Sequence, residues 1–161
     1  MAELLAERTA NEKRLLRQQA ALADFGSFAF READLLTILT EAARICANSL
    51  NVAFCKVCRY RPQESDLLIV AGCGWDADVI GRVVSQADET SPQGRAYITG
   101  EPVIIRNLQE ANNLKVPDFY AQHGIVSTID VVIKSIEGLP MGCWKSIARS
   151  NTLTTPMTST F

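Results

Sequence analysis

The chain holds one histidine in 161 residues and no excess of positive charge. Its 16 Lys and Arg stand against 18 Asp and Glu, a formal net of −2 with a sequence pI near 5.4. A dedicated nucleic-acid binder needs a basic surface, so this balance removes the electrostatic case for one. No apolar run approaches the roughly 18 residues that a membrane span requires. The opening MAELLAERTANEKR has no contiguous apolar core of a secretory signal, so the expected location is the cytoplasm. The G-x-x-x-x-G-K-[ST] loop, a G-x-G-x-x-G helix opening, G-x-S-x-G and H-E-x-x-H are all missing. Carboxylates are scattered, and no nucleophile stands beside a base. No catalytic residue and no metal ligand is therefore assigned, and the chain reads as a non-enzyme.

What is present is an ordinary globular composition, 47% hydrophobic and 21% charged, which argues against disorder. Five cysteines (Cys46, Cys55, Cys58, Cys73 and Cys143) without a secretion signal suggest reduced thiols. Cys55 and Cys58 form a C-x-x-C, but AFCKVCRY reads as a strand, and positions three apart on a strand face opposite ways. Structural thiols are the favoured reading, with zinc or disulfide exchange as alternatives. His123 precedes Gly124 at the end of a short helical stretch, where His serves a helix C-terminus. Arg59 and Arg61 beside Glu64 and Asp66 read as a solvated charge cluster, with an anion site as the lesser alternative.

Residues 3–24 are dense in helix formers, with Leu5, Leu15, Leu16 and Leu22 on an apolar stripe, until Gly26 interrupts. That helix either packs on its own domain or pairs with its counterpart in a second subunit. Residues 33–50 repeat the helical period, with Asp34 as N-cap and Asn51 as stop. A hairpin follows, 53–61 and 67–75, around PQESD. Residues 81–87 form a short strand. Ser91 caps a helix that opens with Pro92 and stops at Gly100. A strand at 102–108, a short helix at 117–123 and a strand at 126–136 complete an α-α-β-β-β-α-β-α-β order. Such an order calls for an α+β layering of helices on a mostly antiparallel sheet.

Laid end to end, LADFGSFAFREADLLTILTEAARICANSLNVAFCKVCRYRPQESDLLIVAGCGW, SPQGRAYITGEPVIIRNL and VPDFYAQHGIVSTIDVVI resemble a GAF domain, of the kind that opens bacterial sensor histidine kinases. The resemblance spans residues 22–133, and the paired N-terminal helices favour it over PAS. It implies a six-stranded antiparallel sheet with flanking helices, a small-molecule pocket on one sheet face, and homodimers through an N-terminal signalling helix. It further implies a non-catalytic sensory module of a two-component system, binding a small ligand, dimerising, or both. The alternatives are a thiol-based methionine sulfoxide reductase, using a pair among Cys55, Cys58 and Cys73, and a structural dimer without ligand. Gln122 stands before His123 where bilin-binding relatives carry Cys, so covalent bilin is not expected. The Asn-Lys…Phe…Asp-Glu pattern of cyclic-nucleotide binders is missing too. Cofactor and ligand residues are left unassigned, and no kinase motif is present.

The composition breaks at residue 141. Residues 1–140 carry every acidic residue, whereas 141–161 carry none, two basic residues and eight Ser or Thr. The resemblance calls for one more strand, Gly-apolar-Leu-Glu-apolar-Asp, and a final helix. Read in a displaced frame, the codons for Met141 through Lys145 force Gly, an apolar residue, Leu and Glu in that order. The expectation is an N-terminal connector over 1–24, an incomplete GAF-like domain over 25–140, and an out-of-frame tail over 141–161. The last strand and helix would then be missing from a truncated domain. The DNA across codon 140 decides the reading frame.

Overall fold

A computed structural model describes residues 1–149, apart from the side chains at positions 2, 3, 83 and 84. Two helices open the chain, α1 (Ala2–Arg31) and α2 (Leu35–Leu50). A hairpin follows, β1 (Phe54–Arg61) and β2 (Asp66–Cys73), and then β3 (Val83–Gln86). Helix α3 (Pro92–Thr99), β4 (Val103–Ile105), the one-turn α4 (Phe119–Gln122), β5 (Ser127–Lys134) and β6 (Pro140–Ala148) complete it. The six strands form one sheet in the order β3-β2-β1-β6-β5-β4, and every neighbouring pair is antiparallel.

The helix boundaries follow local chemistry. The Asp34 carboxylate accepts from Thr37 N–H and satisfies one orphan donor of α2. Asn51 ends α2 in the left-handed region at φ 52°. Ser91 Oγ accepts from Gly94 N–H at the start of α3, Pro92 fills the first turn, and Gly100 closes it at φ 72°. These positions match the expectations from sequence.

Alternation along the strands separates two apolar layers. Phe54, Cys58, Leu67, Ile69, Cys143 and Ile147 pack with Ala96, Phe119, Tyr120 and Ile125 on the α3–α4 side. Cys55 and Ala148 pack with Ala43, Ala47 and Val52 on the α2 side. The sheet is therefore covered on both faces.

Two expectations are corrected. Helix α1 does not stop near Asp24 but runs through Gly26 to Arg31. A mid-helix glycine costs about 1 kcal/mol. Half-buried Phe25 and Phe28 lie along the groove that α1 makes with α2, and their packing offsets that cost. Nor is the last strand missing. Residues 140–148 form β6, which lies between β1 and β5 and joins the two halves of the sheet. Met-Gly-Cys-Trp-Lys-Ser-Ile-Ala alternates well enough to bury Cys143, Lys145 and Ile147 on one face, and Gly142 approaches the Cys58 backbone more closely than a Cβ allows. The expected absence of a final helix, and the rest of the tail from residue 150, lie outside the described residues.

Ile147 is fully buried at the centre of the sheet. Ile147→Ala is expected to cost about 2–5 kcal/mol in denaturant unfolding. A loss within about 0.5 kcal/mol, as at a surface position, would contradict the central place of β6.

Candidate functional site

Three adjacent strands carry a row of ionisable side chains across the middle of the sheet. Lys56 on β1 lies opposite Lys145 on β6, which lies opposite Asp130 on β5. All three are fully buried on the α3–α4 side, in the ladder position between Phe54–Ile147–Thr128 and Cys58–Cys143–Val132. Lys145 Nζ stands 3.0 Å from Asp130 Oδ1, an ion pair without hydrogen-bond alignment, and donates to Gln93 Oε1 at 3.0 Å. Thr128 Oγ donates to the other Asp130 oxygen at 3.3 Å. Asp130 and Lys145 thus neutralise each other.

Lys56 has no such partner. Its Nζ makes no hydrogen bond and lies beneath aromatic rings, 4.7 Å from the Tyr120 centroid, 5.4 Å from Phe119 and 5.7 Å from Trp75. Ring faces attract a cation but replace little of its lost hydration. Two further buried groups nearby lack partners, Gln93 Nε2 and the Tyr120 hydroxyl. The Tyr120 ring also faces Lys145 Nζ at 5.2 Å. The Lys56 ammonium over the Tyr120 ring, the Tyr120 hydroxyl, and the amide nitrogen of Gln93, whose oxygen accepts from Lys145, are thus each without a partner.

The rings belong to a roof over the row. Trp75 leaves β2 and donates its indole N–H to Cys55 O at 3.0 Å, while Phe119 and Tyr120 sit on α4. His123 caps α4, with Nδ1 2.8 Å from Phe119 O and Nε2 3.2 Å from Asp76 Oδ2, so it locks the roof. It stands at the C-terminus of α4, directly before Gly124.

Burial pushes the Lys56 ammonium down to about 7, with the Lys145 charge adding to the effect. Burial raises the Asp130 carboxyl against the pull of Lys145, and it raises the Tyr120 phenol.

The other sequence candidates lie elsewhere. Cys55 and Cys58 fall in opposite layers, so the C-x-x-C does not converge. Cys58 and Cys143 lie beside the lysine row, both pushed up by burial, and Cys143 donates to Gln93 O at 3.1 Å. Arg61 clamps the buried Asp66 with two bonds of 2.7 and 2.6 Å, a part-buried pair rather than a solvated one, and its guanidinium keeps that carboxyl below its ordinary range. Among the described residues, no three His, Cys, Asp or Glu side chains are placed to hold a metal, and no helix is long and apolar enough to cross a membrane. The lysine row went unread in the sequence, although its signal is there. Lys56 shares a strand face with Phe54 and Cys58, and Lys145 with Cys143 and Ile147.

Lys56 gives stability a signed pH dependence. The unfolded chain holds its proton up to about 10.5, the folded chain only below about 7. Between those values the unfolded state binds more protons, so stability rises with pH. Lys56→Met is expected to flatten that rise and to stabilise the protein by about 1–3 kcal/mol near neutral pH. Equal slopes in the two proteins, measured by denaturant unfolding across this window, would contradict a desolvated Lys56.

The GAF domain profile matches residues 34–143. Among solved structures, the GAF domain of a phosphoenolpyruvate-protein phosphotransferase from Coxiella burnetii superposes with a TM-score of 0.75 at 11% identity, covering 84% of this chain and 80% of that one. The free methionine-R-sulfoxide reductase from Neisseria meningitidis, in complex with its substrate, gives 0.70 at 15% identity, with coverage of 86% and 76%. The GAF domain from an Acinetobacter phosphoenolpyruvate-protein phosphotransferase gives 0.68 at 14%, with coverage of 86% and 78%. No curated protein sequence matches the chain. At these identities the structures speak for the fold alone, and the profile over most of the chain for the family: this chain belongs to the GAF domain family, whose members are regulatory and sensory modules.

Proposed function

We propose that this GAF domain is a sensory module that takes a small carboxylate between the sheet and the α4 roof, and that it works as a dimer. The carrying observation is the unpartnered, fully buried Lys56 ammonium, with Gln93 Nε2 and the Tyr120 hydroxyl as further unpaired donors beside it. A carboxylate there would restore the charge balance that Asp130 supplies only to Lys145. Entry requires the roof to lift. The chain from 106 to 126 carries only a three-residue turn (Leu108–Glu110) and the one-turn α4, so few backbone bonds resist opening. The bound ligand would hold the roof closed and bias its neighbours, which is how a sensor transmits occupancy. A role ahead of a histidine kinase or another effector is the same proposal placed in a longer signalling protein.

Leu4, Leu5, Leu15, Leu16 and Leu22 are exposed along α1, and pairing with a second copy would bury them. The reductase alternative keeps one candidate pair, because Cys55 and Cys73 are ladder partners on the α2 side whereas Cys58 lies on the other face. The composition break at residue 141 supports a displaced reading frame, tested by the DNA across codon 140. The ligand proposal rests on the row as this chain carries it.

Thermal unfolding with acetate, succinate or benzoate, against the neutral amide of each, tests the proposal. At least one acid is expected to raise Tm by several degrees at millimolar concentration, as binding to the folded state requires. Lys56→Met should abolish the shift, and light scattering on the same samples should read a dimer. A series without any acid-specific shift would leave a dimer scaffold without ligand, and a monomer would remove the dimer.

A further inference from the structure

The opposite face of the sheet gathers three of the five cysteines. Cys46 lies on α2 and is half-buried, Cys55 on β1 is fully buried, and Cys73 on β2 stands opposite Cys55 in the ladder. Ser146 on β6 lies between the first two. Its Oγ is 3.6 Å from Cys46 Sγ and 3.9 Å from Cys55 Sγ. Trp144 on β6 packs against the same cluster, its buried indole N–H without a hydrogen-bond partner. One hydroxyl thus stands between a half-buried sulfur and a buried thiol, and donors beside a sulfur favour its thiolate.

The donors lower Cys46 to about 6, with the Cys55 thiol the largest cause, while Cys55 is held well up by that neighbour and by burial. One sulfur is therefore an accessible nucleophile, and the other keeps its proton beside it. Nothing in the ligand site uses either, because both lie on the α2 side of the sheet.

We propose that Cys46 and Cys55 form a peroxide-responsive dithiol that locks α2 to the central strand β1. The Cys46 thiolate attacks one oxygen of a hydroperoxide. An S–O bond forms as the O–O bond breaks, and hydroxide (or alkoxide) leaves to take a proton from solvent. Cys46 is then a sulfenic acid. Cys55 sulfur attacks the Cys46 sulfur, an S–S bond forms as S–O breaks, and the departing hydroxide takes the Cys55 proton as water. Two thiols lose two electrons to the peroxide, and an external dithiol reverses the step. The bond would join the last turns of α2 to β1 across the left-handed stop at Asn51, so oxidation state would set how far α2 can shift over the sheet.

The test uses the whole chain. Trypsin cuts after Arg44 and Lys56, so Ile45–Lys56 carries both cysteines in one peptide. After one equivalent of hydrogen peroxide and blocking with N-ethylmaleimide, this peptide is expected unalkylated and two hydrogens lighter. Two of the five thiols should be lost, and dithiothreitol should restore them. In Cys55→Ser, Cys46 should be trapped by dimedone as the sulfenic acid. In Cys46→Ser, thiol loss should slow by about tenfold or more. Recovery of Ile45–Lys56 with both cysteines alkylated, or a cross-link from Cys55 to Cys73, would overturn the proposal. The peptide map of the unsubstituted protein decides between these outcomes without any variant.

Discussion

A charged row across three central strands constrains everything around it. Each buried ion costs several kcal/mol of lost hydration unless a partner repays it. Asp130 and Lys145 are partnered across the β5–β6 ladder, with Gln93 and Thr128 completing their contacts. That arrangement holds α3 against the sheet through Gln93 and requires β6 to lie between β1 and β5. Lys56 is the remainder, one cation more than the carboxylates present. The fold meets it with rings from β2 and α4, which attract the ammonium but give it no acceptor. An interior kept one acceptor short is the observation on which the proposed ligand site rests.

The two faces of the sheet are chemically distinct. The α3–α4 side carries the charges and the aromatic roof, and the α2 side carries small apolar residues and thiols. Strand alternation sends neighbouring residues to different tasks, so Lys56 and Cys55 lie one position apart and serve opposite layers. Helix α1 lies against α2 and leaves its leucines exposed. Occupancy under the roof and oxidation beneath α2 would thus act on one sheet from two sides.

Much of the architecture was legible in the sequence because local chemistry specifies it. Asp34, Asn51, Ser91, Pro92 and Gly100 mark helix ends by capping and backbone preference alone, and each lies where expected. The opposite facing of Cys55 and Cys58 needed only the period of a strand. The end of α1 was not legible, because the packing of Phe25 and Phe28 outweighs the local preference of Gly26. Strand β6 was hidden by the loss of acidic residues after position 140, although Cys143, Lys145 and Ile147 already alternate. The site was the least legible part. Lys56, Asp130 and Lys145 are separated by long stretches of sequence, and only the strand register makes them neighbours. The Trp75, Phe119 and Tyr120 roof likewise comes from two segments that meet only in the folded chain.

The central claim is that Lys56 is a desolvated cation waiting for an acceptor. Titration of lysines labelled with carbon-13 at Cε, followed by NMR and assigned through Lys56→Met, reads this directly. One lysine is expected to titrate near 7 in the free protein and to move upward when a carboxylate is bound. If the Lys56 signal titrates near the ordinary 10.5, the ammonium is hydrated and the account of the site is wrong.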